Sequence, residues 1–188
     1  MKIKLKKINI SIDEIFVIVL FLFIFSNKFR NFILYYFICY LFIVLHELSH
    51  VIVAYFFGKK VHKLNITLCG VNVCFYKKCI NKIYELLIYF AGPIFNLIIG
   101  IILKKYNFLY ELNMTLFLVN LIPIFPLDGY NILKIIFNYI FSEKTTMKIL
   151  KIINIFVVII FAVYSVFSKN ISYLIFLMYI CIYGIIKR

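Results

Sequence analysis

The sequence predicts an all-α polytopic membrane protein, and three observations carry that prediction. The chain of 188 residues is 65% hydrophobic with a mean hydropathy of +1.06, whereas soluble domains are about 45–50% apolar. Several apolar runs approach the roughly 20 residues that a helix needs to cross a bilayer. No polar stretch is long enough to form a soluble domain, so we expect one domain over residues 1–188.

Six apolar runs, separated by charged residues, predict about six transmembrane helices. They cover residues 12–27, 32–57, 83–103, 108–128, 149–168 and 171–186. In this arrangement 16 of the 21 Lys and Arg residues lie on the side that holds both termini. Because cytoplasmic loops carry the excess of Lys and Arg, we predict cytoplasmic termini. The same flanking charges account for the net charge of +14, and we expect no binding to nucleic acid.

Residues 63–76, KLNITLCGVNVCFY, follow a different pattern from the spans. Leu64, Ile66 and Leu68 alternate with polar residues or cysteine, and the alternation resumes after Gly70. A period of two around a glycine is typical of a β-hairpin. An open strand edge cannot face lipid. We therefore predict a small membrane-associated hairpin between helices 2 and 3, at the cytoplasmic surface or covered by protein.

The motif HELSH lies inside the second predicted span. His46 and His50 are four residues apart, so on a helix they share one face and can bind a single tetrahedral metal ion. Glu47 lies beside them and can accept a proton from water at that ion. The alternative is a pair of buried histidines that bond to neighbouring helices. The spacing together with Glu47 favours a catalytic zinc site.

A catalytic zinc needs a third protein ligand and an open position, and the candidate is Asp128 in VNLIPIFPLDGYN. The second and fourth spans run in the same direction, which places His50 and Asp128 at similar depth. Pro123 and Pro126 interrupt helical hydrogen bonding and predict an unwound segment there. The other ionisable groups that we considered lie in a loop or at helix starts: Asp13, His62, Glu85 and Glu111.

Two amide side chains lie within predicted spans. Asn96 ends the segment AGPIFN, and Asn120 begins the run Asn-x-x-Pro. Each is predicted either to form an interhelical hydrogen bond or to bind the backbone of a substrate.

HELSH, AGPIFN and NLIPIFPLDG resemble, in this order, the three signatures of the site-2 protease family of intramembrane zinc metalloproteases. The resemblance covers residues 12–140. The six spans and cytoplasmic termini are most similar to the stage IV sporulation protein FB type, which processes a membrane-tethered pro-sigma factor. That branch implies a location in the cell membrane or the forespore outer membrane.

By position, the resemblance implies that His46, His50 and Asp128 bind one Zn²⁺ and that Glu47 is the base. It implies that Asn120 takes part in substrate engagement and site geometry, and that the hairpin helps to present substrate. A membrane-tethered protein is the expected substrate, and inhibitory membrane proteins are candidate partners. The sequence predicts no oligomeric state.

The chain departs from the family pattern at a few positions. Ser49 stands where the family usually has glycine within the histidine motif. Tyr130 and Asn131 stand where glycine and arginine usually follow the aspartate. The chain ends at Arg188, so we expect no C-terminal nucleotide-sensing domain of the kind found in many sporulation-branch members.

Zinc-assisted hydrolysis of a peptide bond is the function that these motifs predict. The alternative is a membrane protein that binds or transports metal without hydrolysis. The proline-broken span is compatible with transport. Glu47 and the lack of an inverted sequence repeat favour hydrolysis.

Overall fold

The computed structural model describes residues 2–5, 8–12, 30–67, 70–75 and 81–167. These residues form four strands and five helices: β1 Lys2–Leu5, β2 Ile8–Ile12, α1 Arg30–Phe56, β3 Val61–Thr67, β4 Gly70–Phe75, α2 Lys82–Ile102, α3 Asn107–Leu121, α4 Asp128–Ile140 and α5 Glu143–Phe167. The chain divides into two compact units, Met1–Leu116 and Phe117–Arg188.

A four-stranded sheet with the order β1-β2-β3-β4 lies in the first unit. The predicted hairpin corresponds to β3 and β4, which pair antiparallel with Leu64 opposite Val73. Two further strands, β1 and β2, pair antiparallel with each other, and β2 runs parallel to β3. The expectation of an all-α fold is therefore wrong at the N-terminus. Its short period-two runs form strands because each has a partner: INISI pairs with β3, and KIKL pairs with INISI.

The buried residues of α1 recur at every fourth position. They are Phe42, His46, His50 and Ala54. Residues at this spacing follow one ridge of a helix, which can pack into the groove of a neighbour. The two histidines are therefore part of the packing surface of α1 and do not face lipid.

The buried residues of α2 show the same spacing of four. They are Ile88, Gly92, Asn96 and Gly100, with Pro93 beside them. Helices α1 and α2 pack against each other. Small residues on such a ridge let two membrane helices approach closely, so Gly92 and Gly100 bring the backbone of α2 near its neighbours.

The end of α1 is joined to the start of α2 by an aromatic and an ionic contact. Phe57 stacks on Tyr84, with ring centroids 4.3 Å apart. Lys59 Nζ lies 3.0 Å from Glu85 Oε1. The side chain of Asn81 accepts a hydrogen bond from the backbone of Ile83 and caps α2. These contacts fix the relative height of the two helices and therefore the register of their buried ridges.

The predicted span 108–128 is shorter in the structure and ends before its prolines. Helix α3 ends at Leu121, and an irregular segment follows that contains Pro123 and Pro126, with a cis bond before Pro126. The unwinding that these prolines predict is thus present. Helix α4, which begins at Asp128, was not predicted. It packs on α5 in the second unit.

Three of the described helices are long and apolar enough to cross a membrane: Leu34–Phe56, Lys82–Ile102 and Glu143–Tyr164. They correspond to the predicted spans 32–57, 83–103 and 149–168. Large apolar side chains are exposed along them, as at Phe56 and Phe156, which suits a lipid-facing surface. Predicted span 171–186 and nearly all of span 12–27 lie outside the described residues, and the sidedness of the termini stays a prediction.

Candidate metal centre

The imidazoles of His46 and His50 meet on the buried ridge of α1. Their side chains are 4% and 6% exposed, and their Nε2 atoms lie 3.2 Å apart. Two nitrogens bound tetrahedrally to one zinc, at bond lengths of about 2.0–2.1 Å, lie about 3.3–3.4 Å apart. The two Nε2 atoms therefore have the separation that a single ion requires.

The other nitrogen of each ring is held by α2. His50 Nδ1 donates to the backbone oxygen of Ile88 over 2.6 Å. His46 Nδ1 lies 2.9 Å from Nδ2 of Asn96, which is 0% exposed. Outer partners of this kind fix the orientation of metal-binding imidazoles. Ile88 and Asn96 thus hold both rings with Nε2 on the same side.

Gly92 lies between these two partners and faces both rings. A Cβ atom at this position would lie 2.5 Å from Nε2 of His46 and would also clash with Nε2 of His50. Only glycine fits without displacing the histidines. Sequence reasoning missed this role, although AGPIFN carried the signal, since Gly92 precedes Asn96 by one helical turn.

Glu47 and Ser49 complete the motif on α1. Glu47 is partly buried and lies outside the ridge that carries the histidines. Ser49 Oγ donates to the backbone oxygen of His46 over 2.6 Å. This bond satisfies the hydroxyl within its own helix, which explains how serine is accommodated in place of the more usual glycine.

Asp128 is the first residue of α4, where the N-terminal end of a helix favours a carboxylate. His46, His50 and Asp128 each offer one ligand atom, and these atoms lie within 4.8 Å of one another. Two imidazoles and one carboxylate, with a fourth position left open, form a donor set typical of catalytic zinc. The residues present therefore fit the ion.

The segment before Asp128 is held by its own backbone. The amide of Ile124 donates to the oxygen of Ile122, and the amide of Leu127 donates to the oxygen of Ile124, each over 2.8 Å. Tyr130 is buried, and its ring packs edge to face on Phe125 with centroids 5.4 Å apart. The tyrosine thus supports the irregular segment from within α4.

Gly129 makes the closest approach in this segment, and its replacement by alanine is expected to destabilise the fold. The added Cβ would clash with the backbone oxygen of Leu121 and lie 2.7 Å from that of Ile122. Overpacking of this kind costs about 1–3 kcal/mol. We expect the free energy of unfolding, measured by denaturant titration in detergent micelles, to fall by about 2 kcal/mol.

Gly100→Ala is the matched control for this change, because its Cβ would lie 3.4 Å from the side chain of Asn113, an ordinary van der Waals separation. An unchanged stability of Gly129→Ala would contradict the close approach.

The other candidates from the sequence lie elsewhere. Asn120 lies in the last turn of α3 and is partly buried. His62 is an exposed residue of β3, Glu85 is paired with Lys59, and Glu111 is exposed. Asp13 lies outside the described residues.

Comparison with known proteins gives a consistent result. The model of peptidase family M50 matches residues 102–164. A zinc metalloprotease of Methanocaldococcus jannaschii is 38% identical over 125 residues, which are 57% of this chain and 36% of that protein. The chain thus spans about a third of the length of this relative. The solved site-2 protease of the same organism is 28% identical, with a TM-score of 0.67 over 98% of this chain and 92% of that one.

All three findings support the M50, or site-2 protease, family. The M50 match includes the irregular segment and Asp128, and the structural similarity extends over nearly the whole chain. The fit of His46, His50 and Asp128 to zinc agrees with the name of the first relative, a zinc metalloprotease.

Proposed function

We propose that this chain is an intramembrane zinc metalloprotease that hydrolyses a peptide bond in or near the membrane segment of another protein. The observation that carries the proposal is the pair of Nε2 atoms 3.2 Å apart, with Asp128 Oδ within the same 4.8 Å group. His46, His50 and Asp128 would hold the ion. The M50 family match, the zinc metalloprotease relative and the solved site-2 protease support the same assignment.

Zinc, when bound, supplies a Lewis acid that polarises a carbonyl and lowers the pKa of water. The residues of the chain transfer the proton and engage the substrate. Glu47, one residue from His46 and partly buried, accepts the proton of the attacking water and returns it to the leaving amine. Asn120 follows the family pattern as a residue that engages substrate.

The proposed substrate is a membrane-tethered protein. The described helices suited to cross a membrane are apolar, and the histidines lie within one of them, so the scissile bond must reach them within or near the bilayer. A pro-sigma factor or another regulatory protein of sporulation is the finer proposal, and it rests on the sequence resemblance to the sporulation branch. The inhibitory membrane proteins are proposed on the same ground. Both termini are proposed to be cytoplasmic from the charge distribution.

Asp128→Ala tests the donor set and is expected to lose both zinc and cleavage. Structural zinc sites are worth about 10–16 kcal/mol, so the loss of one of three protein ligands is expected to cost at least about 3 kcal/mol, or about a hundred-fold in affinity. The full chain in lipid vesicles would be assayed for zinc content and for cleavage of a co-reconstituted, membrane-tethered model substrate.

Glu111→Ala is the matched control, because it removes an exposed carboxylate of α3 and should change neither measurement. Zinc bound by Asp128→Ala as tightly as by the unmodified chain would contradict the donor set. The same vesicles separate the transport alternative, since zinc flux without cleavage would exclude a protease.

A further inference from the structure

The face of α2 that contacts the two histidines carries three residues at intervals of four: Ile88, Gly92 and Asn96. Each meets the histidine pair: a backbone oxygen binds His50, a glycine leaves room for both rings, and an amide binds His46. Of the three, only Asn96 contributes a polar side chain. What that amide does depends on which of its two ends faces the imidazole.

The hydrogen bonds of the structure form a directed chain through both rings. Asn96 Nδ2 donates to His46 Nδ1, and His46 and His50 then share a bond between their Nε2 atoms. His50 Nδ1 donates to the oxygen of Ile88. A neutral imidazole has one donor and one acceptor nitrogen, so a neutral His46 that accepts from Nδ2 of Asn96 carries its proton on Nε2. The other end of the amide, Asn96 Oδ1, is buried without a hydrogen-bond partner.

Zinc coordination requires the opposite tautomer of His46. Both Nε2 atoms must offer a lone pair to the ion, so the proton of His46 must sit on Nδ1 and needs an acceptor there. His50 already meets this condition, because its Nδ1 faces a carbonyl oxygen. The two ends of an amide have nearly the same shape, so a half-turn of the Asn96 side chain would place Oδ1 where Nδ2 now lies.

We propose that Asn96 is the positioning residue of His46 and that it serves both tautomers by turning its amide. With Nδ2 toward the ring it supports the directed chain of the structure. With Oδ1 toward the ring it accepts the Nδ1 proton and frees Nε2 for zinc. The unpartnered Oδ1 belongs to the same amide whose Nδ2 lies 2.9 Å from Nδ1 of His46. It is the acceptor that the zinc-binding tautomer needs. This inference rests on the proposed zinc site.

Zinc affinity of the full chain in micelles, measured by competition with a chelator, tests the proposal. Asn96→Leu removes the acceptor and is expected to weaken zinc binding by about 10- to 100-fold, as is typical for loss of an outer partner. Asn96→Asp keeps an acceptor, and is expected to bind zinc at least as tightly as the unmodified chain. A carboxylate accepts but cannot donate, so it supports only the zinc-binding tautomer.

Asn113→Leu is the matched control. Asn113 is also 0% exposed, and its Oδ1 also lacks a partner, but its amide donates to Leu109 within α3. We expect its zinc affinity to be unchanged. If Asn113→Leu weakens zinc binding as much as Asn96→Leu, the loss reflects packing and the positioning role is overturned.

A second measurement reports the position of the imidazole protons directly. In the Co²⁺-loaded chain, imidazole N–H protons next to the ion give strongly shifted, exchangeable proton resonances. Two are expected, one from Nδ1 of each histidine. In Asn96→Leu the resonance of His46 should exchange faster with water, while that of His50, held by Ile88, should not change. A single exchangeable resonance in the unmodified chain would overturn the proposed tautomer.

The outcomes separate this inference from the proposed function. An unmodified chain that binds no zinc would remove the metalloprotease assignment and the role of Asn96 together. An unmodified chain that binds zinc, beside a folded Asn96→Leu with the same affinity, would overturn the positioning role alone.

Discussion

Glu47→Gln is expected to lower cleavage by about 10²- to 10⁴-fold, the range that general acid–base catalysis contributes, and to leave zinc binding unchanged. Glutamine has the size of glutamate, so the partly buried position on α1 can hold it without repacking. Its amide cannot accept the proton of the attacking water. Glu47 is not one of the three grouped ligand residues, so the ion should remain.

The measurement is cleavage of the tethered substrate by the purified chain in vesicles, with zinc content determined on the same sample. Glu111→Gln is the matched control, because it makes the same chemical change at an exposed carboxylate of α3. Its cleavage rate should equal that of the unmodified chain. Full proteolysis by purified Glu47→Gln would contradict the assignment of Glu47 as the general base.

The histidine pair was predictable because its geometry is local. Four residues make about one helical turn. HELSH therefore places its two imidazoles side by side on a helix, however that helix packs in the fold. The choice of Asp128 needed more, namely the scarcity of other suitable carboxylates and the two prolines that end a helix. In the structure the ligand atoms of His46, His50 and Asp128 lie within 4.8 Å of one another, and zinc binding by these three residues stays a prediction.

The N-terminal strands were not predictable from the same signals. β1 and β2 are only four and five residues long, and they precede the predicted span 12–27 in a segment rich in lysine. The parallel pairing of β2 with β3 joins Ile10 to Leu64, residues far apart in the chain. The hydrophobic periodicity of one segment does not show which distant segment pairs with it as a strand.

Helix α4 was missed for a different reason. It has only 13 residues and follows two prolines, and nearly all of it falls between the predicted spans 108–128 and 149–168. In the structure Ile132 and Ile135 lie on its buried face. Tyr130, which appeared as a departure from the family pattern, belongs to the same buried set and packs on Phe125.

The role of Gly92 depends on how α1 and α2 pack together, so its motif alone did not predict it. Its sequence context indicated only a small residue in a span. Glycine is necessary because α2 lies so close to the histidine rings of α1. The sequence pattern of α2 alone does not reveal that distance. The same holds for Asn96, for which the sequence left interhelical bonding and substrate binding open. Its amide lies on His46.

Gly92→Ala is expected to abolish the stabilisation that zinc gives to the chain. The new methyl group would lie 2.5 Å from Nε2 of His46 and against Nε2 of His50, so both rings must move away from their shared position. The free energy of unfolding should fall by about 1–3 kcal/mol from overpacking. At a zinc concentration of about 100 times Kd, the unmodified chain should gain about 2.7 kcal/mol from the ion, and Gly92→Ala should gain almost none.

Thermal unfolding in micelles, with and without zinc, measures this difference directly. Gly100→Ala places the same methyl group on the same ridge of α2, two turns away, at an ordinary 3.4 Å from Asn113. It should keep the full zinc-dependent rise in melting temperature. The comparison separates a general effect of alanine on helix packing from displacement of the histidines, because only the second removes the response to zinc. An undiminished zinc response in Gly92→Ala would show that the rings bind metal in some other arrangement.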